Sequence, residues 1–198
     1  MTDLFHIIHA QRACRSFSDA PVSDEEIARL LGAAIHAPSA ENRQPWEFVV
    51  VRDEDSRAAI GTLMARAWES VGRDFSTARL APGLLAEVEV GATGGIAAAP
   101  VLIVVGADTQ RGLPKTAAES IFPSVQNLLL AAGALGLGSA LTTIAVGYAA
   151  ELRAIVGFPE SILPMAVVPI GHPLRPLGAP RRDSFATRAH RDRYGRAW

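Results

Sequence analysis

Three short runs of β-branched and other apolar residues constrain the fold of this chain most strongly. They are PVLIVVGA at residues 100–107, ILPMAVVPIG at 162–171 and WEFVVV at 46–51. Successive side chains of a strand point to opposite faces of a sheet, so a continuous apolar run indicates a strand that is buried on both faces. We therefore expect a central sheet that is covered by packed layers on both sides.

Helical patterns lie between these runs. Ser23 and Glu26 have the spacing of a capping box, and apolar residues follow at helical spacing until Pro38 ends the helix. A second helix is expected to begin near Asp53. Further helices are expected over residues 3–11, 119–136 and 148–157, and a further strand over 139–144. Helices and strands do not alternate strictly, which predicts an α+β fold around one central sheet.

Composition and charge narrow the possible classes of protein. Hydrophobic residues make up 49% of the 198 residues and charged residues 20%, enough for a sizeable core in a single domain over residues 1–198. The Arg- and Pro-rich residues 172–198 form a C-terminal extension of that domain. The net charge of −1 argues against nucleic acid or an anionic membrane as a partner.

The expected location is the cytoplasm. The single cysteine, Cys14, cannot form an internal disulfide, which suits a reducing compartment. The first residues have no basic region and no cleavage pattern, so we expect no signal peptide. Residues 120–150 carry no charge, but glycines and polar residues interrupt them. A buried helix followed by a buried strand explains that stretch better than a membrane span.

Several motifs that can carry chemistry are poorly supported here. The glycines of GALGLGS follow a helix rather than a strand, so Gly136 or Gly138 is expected to end the helix rather than to bind a dinucleotide. His6 and His9 are not joined by a recognisable third metal ligand, and we predict no metal site. Cys14 has no evident partner histidine and is expected to be a small packing residue. The chain also lacks the G-x-S-x-G pattern of a serine nucleophile.

The stretch HAPSAENRQPWEFVVV, residues 36–51, is an unusually polar and rigid turn. Two prolines with fixed φ angles flank Ser39, Asn42 and Gln44, each of which can form hydrogen bonds. The turn is either a rigid connector between a helix and a strand or a segment that holds a ligand.

Two pairs of arginines are candidate anion ligands. Arg12 and Arg15 lie three residues apart after the first helix, and Arg181 and Arg182 are adjacent near the C-terminus. The planar guanidinium fork suits phosphate oxygens, although exposed arginine pairs are also common on solvated surfaces.

Taken together, these segments resemble the nitroreductase family of flavin enzymes. The resemblance is carried by RACRSFSDAPVSDEEIARLLGAAIHAPSAENRQPWEFVVV, VQNLLLAAGALGLGSALTT and IGHPLRPLGAPRRD, in that order. It spans about residues 8–183, while residues 70–98 carry no part of it. The resemblance implies a nitroreductase-like central mixed sheet flanked by helices, and an intertwined homodimer that binds FMN at its interface.

The family resemblance also implies roles for particular residues. Arg12 would bind the FMN phosphate, and Arg15 and Ser16 would lie nearer the ribityl chain and the N1/O2 edge of the flavin. Ala13 stands where the family often has serine, so its contact can only come from the backbone. Arg181 and Arg182 would close over the phosphate, although Asp183 replaces the proline that often follows this pair.

The turn and the glycine segment would contact the flavin ring. Gln44 and Trp46 would fix the turn, and Leu141, Thr142 and Thr143 would pass near the flavin N5. The turn residues that would contact the ring of the partner subunit's flavin are Pro38, Ser39, Ala40 and Asn42.

The implied activity is an FMN-dependent oxidoreductase. Hydride would pass from NADH or NADPH through FMN to nitroaromatics, quinones or similar electron-poor small molecules, and no side chain would act as a catalytic residue. Alternatives are a flavin-binding protein without turnover, for storage or sensing, and a family member with dehalogenase or oxidase chemistry. An FMN-independent structural dimer is a third possibility.

Overall fold

The computed structural model describes residues 3–198 and shows an α+β fold, as the sequence predicts. The four strands are β1 (Trp46–Val51), β2 (Val101–Asp108), β3 (Gly138–Ser139) and β4 (Ile162–Gly171). The seven α-helices are α1 (Leu4–Ala10), α2 (Asp24–Ala34), α3 (Glu54–Ala67), α4 (Arg73–Thr77), α5 (Pro82–Val90), α6 (Ala117–Ala134) and α7 (Ala149–Val156).

The strands form one sheet in the order β1-β2-β4-β3. All three strand pairs are antiparallel, and β2 and β4 shift register between Val105 and Gly106. A single parallel bridge between Ala13 and Ser139 adds the segment after α1 beside β3. Among the strands of the described residues, β1 and β3 are the outermost, and the bridged segment at Ala13 lies beyond β3.

Helices cover both faces of the sheet. Val101, Ile103 and Val105 of β2 belong to a core shared with α2 and α6, whereas Leu102 and Val104 belong to a second core shared with α3 and α7. This alternation confirms that the central run is buried on both sides. The run at 46–51 is less buried than predicted: its four inner residues are only half-buried, because β1 lies at the sheet edge.

The predicted helix starts are confirmed. The Oγ of Ser23 accepts a hydrogen bond from the Glu26 amide at 3.2 Å, and the Glu26 carboxylate accepts one from the Ser23 amide at 2.8 Å. Asp53 caps α3 by accepting from the Ser56 amide at 2.9 Å. Each side chain satisfies a backbone N–H that has no partner inside its helix.

The local structure differs from the sequence predictions in two places. Residues 72–99, for which no element is predicted, contain α4 and α5, and GATGG forms a distorted helical turn at Gly91–Gly95. The strand predicted over 139–144 is reduced to Gly138–Ser139 and one bridge from Thr142 to Val167.

The two glycines after α6 have different roles. Gly136 follows the last helical residues with φ +75°, a conformation that residues with a side chain rarely adopt. Gly138 allows a close approach, since a Cβ there would lie 2.7 Å from the Sγ of Cys14. Of the two glycines predicted as possible ends of this helix, Gly136 is therefore the one that ends it.

Candidate functional site

The segment that carries the first arginine pair is fixed to the β3 edge of the sheet. The Cys14 amide donates to the carbonyl of Ser139 at 2.8 Å, next to the bridge between Ala13 and Ser139. Cys14 is 1% exposed and packs against Gly138. An extended segment directs neighbouring side chains to opposite sides, so burial of Cys14 turns the side chain of Arg15 outward.

Those two arginines converge on one carboxylate of α5. The Nη2 of Arg12 lies 3.4 Å from the Oε2 of Glu87, and the Nη1 of Arg15 lies 3.8 Å from the same oxygen. The Nη1 of Arg12 also donates to the carbonyl of Gly178 at 3.2 Å. The side chains of Arg12 and Arg15 are only 30% and 23% exposed. Two half-buried guanidinium groups therefore face a single anion.

The electrostatics of Arg15 favour an anion at this place. Burial lowers the pKa of the Arg15 guanidinium, the charge of Glu87 raises it, and the neighbouring charge of Arg12 lowers it again. Arginine remains protonated in proteins, so these effects appear as a cost of holding two cations together away from water. A negative group that both arginines share offsets this cost.

A cleft of about 350 Å³ beside this pair brings together predicted site residues from three separate segments of the sequence. Arg12, Ala13 and Arg15 line one side, and Leu141 and Arg182 line another. Its volume lies within the range of small-molecule sites. A second cleft of about 340 Å³ lies against Arg15, Ser16 and Glu87. The structure thus assembles six of the thirteen residues predicted to bind the cofactor around these two clefts.

The other residues of the C-terminal and glycine segments are placed less directly. The Thr142 backbone pairs with Val167 at 2.9 and 3.0 Å, and the Thr142 hydroxyl accepts from the Ile144 amide at 3.3 Å. Neither Thr142 nor Thr143 lines the arginine cleft. Arg181 is exposed and does not line that cleft, whereas Arg182 does.

The polar turn lies elsewhere in the same chain, before β1 at the opposite edge of the sheet. The Oγ of Ser39 accepts from the Gln44 amide at 3.0 Å, and the Ala40 amide donates to the Oγ of Ser120 at 3.1 Å. Ala40 borders a separate cleft of about 360 Å³. Hence Pro38, Ser39, Ala40 and Asn42 are not brought to the arginines of their own chain.

The backbone of this turn is strained. Glu41, Asn42 and Gln44 have φ angles of 53°, 54° and 51°, in the left-handed region that residues other than glycine rarely occupy. Such strain persists only where the surrounding bonds over-determine the conformation, and it is concentrated at functional sites. The turn is therefore held in one shape by Ser39 and Ser120 rather than by local preference.

Sequence reasoning assigned no particular residue of 70–98 to the arginine site. A Cβ at Gly95 would lie 2.3 Å from the carbonyl oxygen of Arg15, and one at Gly91 would lie 2.8 Å from the Arg15 side chain. These glycines let the turn after α5 pack directly on Arg15. The glycine-rich GATGG is the sequence signal that could have indicated this close approach. No comparable signal marks Glu87, which lies in a helix that mixes apolar and acidic residues.

The remaining candidates have structural roles. Burial raises the pKa of the Cys14 thiol, while the charge of Arg15 and a backbone hydrogen bond at Ser16 act in the opposite direction. This supports a packing role rather than a reactive thiolate.

Among residues 3–198 there is no group of three side chains suited to a metal ion, and no helix is long and apolar enough to cross a membrane.

The structure is that of an α+β protein with an arginine-lined cleft near one edge of a sheet that helices cover on both faces. The model of the Nitroreductase family matches residues 8–172. The chain therefore belongs to the nitroreductase family, as its sequence motifs indicated.

Individual relatives agree with this assignment. A protein of Archaeoglobus fulgidus, provisionally named NADH dehydrogenase/NAD(P)H nitroreductase, is 31% identical over 178 residues, which cover 87% of each chain. The FMN reductase [NAD(P)H] of Bacillus subtilis is 26% identical over 87% of this chain and 67% of its own length. The structure of an iodotyrosine deiodinase bound to FMN and 3-iodo-L-tyrosine is 25% identical, covers 92% of this chain and 96% of its own, and superposes with a TM-score of 0.77.

Proposed function

We propose that this protein is an FMN-dependent oxidoreductase that takes hydride from NADH or NADPH. The observation that carries the proposal is the convergence of Arg12, Arg15, Leu141 and Arg182, from three separate segments, on one cleft of about 350 Å³. Relatives named as an FMN reductase and as an FMN-bound deiodinase support the choice of cofactor.

The residues around the cleft fit FMN chemically. Arg12 supplies a guanidinium fork for the phosphate, with Arg182 as a second cation at the same cleft. Arg15 lines both clefts, and its positive charge would lie beside the ribityl chain and ring. Ala13 and Ser16 offer backbone and hydroxyl groups along the same segment. Bound FMN would supply the hydride chemistry, while the protein supplies charge, orientation and shelter from water.

The site is proposed to need two subunits. In one chain, the turn over Pro38, Ser39, Ala40 and Asn42 and the arginine cleft lie at opposite edges of the sheet. A homodimer would bring the turn of one subunit to the cleft of the other. Leu141, Thr142 and Thr143 would then pass the N5 edge from one side, and Arg181 would close over the phosphate with Arg182.

The C-terminal extension supports this assembly. Phe185, Tyr194 and Trp198 are 66%, 93% and 60% exposed in the single chain. Large aromatic side chains that are exposed together mark contact surfaces rather than solvated ones. We propose that residues 175–198 wrap the partner subunit and bury these side chains there.

The natural acceptor is proposed only as a class: nitroaromatics, quinones or similar electron-poor small molecules. Relatives are named for different reactions, including iodotyrosine deiodinase of Thermotoga neapolitana and 5,6-dimethylbenzimidazole synthase of Rhodospirillum rubrum. Dehalogenase or oxidase chemistry, or flavin binding without turnover, are therefore the alternatives that an experiment must separate.

Spectroscopy of the purified protein tests the proposal. We expect a yellow protein that releases FMN on denaturation and whose bound flavin is bleached by anaerobic addition of NADH or NADPH. FMN binding without reduction by either nucleotide would favour a storage or sensing protein. A colourless protein that takes up no added FMN would contradict the proposal.

A further inference from the structure

Glu87 occupies the position of an anion ligand between the two half-buried arginines. Its Oε2 atom lies 3.4 Å from Arg12 and 3.8 Å from Arg15. Glu87 is the only carboxylate that forms an ion pair with either of them among residues 3–198. It comes from α5, in the part of the chain that carries none of the sequence motifs.

Both terminal nitrogens of Arg12 already donate hydrogen bonds within the chain. Its Nη1 atom donates to the carbonyl of Gly178 and its Nη2 atom donates to Glu87. A phosphate binds most strongly to a guanidinium through two parallel hydrogen bonds. A phosphate that binds through both terminal nitrogens of Arg12 therefore competes with the Glu87 carboxylate for the Nη2 atom.

We propose that Glu87 is an internal competitor for the arginine site, which sets how tightly the protein binds the phosphate of FMN. The inference rests on the proposed function, because the competing anion is the phosphate of that cofactor. The carboxylate neutralises Arg12 and Arg15 until the phosphate displaces it. Glu87 thereby lowers the affinity for a phosphorylated flavin and leaves the affinity for an unphosphorylated flavin unchanged.

The way α5 is attached is compatible with such a displacement. None of its nine residues is buried, and its first turn has no side-chain cap. Its other ion pair joins Glu89 to Arg73 of α4 at 2.6 Å. Its C-terminal end is held where Gly91 and Gly95 pack on Arg15. Few buried contacts make a local shift inexpensive, and the glycine contacts provide a fixed end about which it can occur.

Two glutamates on the same helix provide the variant and its control. Glu87→Gln keeps the shape of the side chain but removes the charge that faces Arg12 and Arg15. Glu89→Gln makes the same chemical change at the ion pair with Arg73, away from both arginines. Glu87→Ala is a second variant that retains helix propensity.

The experiment compares FMN and riboflavin binding by flavin fluorescence in the apo forms of the parent and the three variants at low ionic strength. We expect Glu87→Gln and Glu87→Ala to bind FMN about three- to tenfold more tightly than the parent, since the affected ion pairs are partly exposed. Riboflavin affinity should not change in any variant, and Glu89→Gln should match the parent with both flavins.

The outcomes separate this inference from the proposed function. If the parent binds FMN but both Glu87 variants bind it equally or less tightly, the competition is disproved and the proposed function stands. An equal gain for riboflavin also overturns the competition. If neither the parent nor the variants bind FMN, both proposals fail. Binding of FMN only after substitution of Glu87 would support the competition in its strongest form.

Discussion

The backbone amide of Ala40 donates a hydrogen bond to the Oγ of Ser120, 3.1 Å away, and so joins the strained turn to α6. Ser120 is 1% exposed, and its hydroxyl donates in turn to the carbonyl of Thr116 at 3.2 Å. A buried serine in a mostly apolar helix thus holds a turn that lies 80 residues away in the chain. The shape of the proposed ring-contact turn depends on this bond.

Substitution of Ser120 by alanine should destabilise the protein. The variant leaves the Ala40 amide without its acceptor, and an unsatisfied group of this kind costs about 1–3 kcal/mol. Urea unfolding at fixed protein concentration measures the change. Ser124→Ala is a matched control, because Ser124 is fully buried on the same helix and its hydroxyl has no hydrogen-bond partner among residues 3–198. We expect the control to be neutral or slightly stabilising, and equal losses in both variants would contradict the role of Ser120.

Arg12→Ala should weaken FMN binding roughly ten- to a hundredfold, since a hydrogen bond to a charged group contributes about 1.5–3 kcal/mol. Arg12→Lys should restore only part of the affinity, because lysine cannot present a fork of two donors. Fluorescence titration gives both constants. Arg29→Ala, on the exposed side of α2, is the control. Unchanged affinity in Arg12→Ala would show that the phosphate binds elsewhere.

The protein should sediment at twice the chain mass at micromolar concentration. Deletion of residues 184–198 should shift it toward the monomer, because this removes the exposed Phe185, Tyr194 and Trp198 that we propose to be buried against the partner. Bound flavin should be lost in parallel with the dimer. A stable monomer loaded with FMN would disprove both the assembly and the site that two subunits share.

Turnover should follow ping-pong kinetics. Hydride donor and acceptor would both have to reach N5 from the one open face of the flavin, so they should bind in turn. The chain has no G-x-G-x-x-G fingerprint after a strand that would hold a dinucleotide separately. Double-reciprocal plots at several acceptor concentrations should be parallel. Intersecting lines would reveal a ternary complex and a second nucleotide site.

Cys14 should react slowly with thiol reagents near neutral pH and at full rate after unfolding in urea. Burial raises its pKa, so the folded protein holds the less nucleophilic protonated form. The protonated thiol contributes fully to the free energy of unfolding below the ordinary thiol pKa. That contribution decreases as the pH rises from the ordinary thiol pKa toward the raised pKa of Cys14. Cys14→Ala should remove this alkaline decrease in the free energy of unfolding. Rapid stoichiometric labelling of the folded protein would contradict it.

Much of the fold follows from local sequence. The capping box at Ser23, the cap at Asp53 and the apolar strand at 101–108 each depend on residues close in the chain, whose bonding and burial preferences act over a few positions. The family motifs likewise indicated Arg12, Arg15 and the polar turn, because each occurs as a contiguous pattern. What the sequence did not show was the lower burial of β1, which depends on its place at the edge of the sheet.

By itself the sequence determined the α+β class, most element positions, the family and the segments proposed to bind FMN. Only the tertiary structure decided that Glu87 faces both arginines, that Gly91 and Gly95 pack on Arg15, and that Ser120 supports the turn. The physical reason is distance along the chain. Caps and apolar periodicity act between neighbours, whereas these contacts join residues 72 to 80 positions apart, and packing alone selects such partners from many residues of the same type.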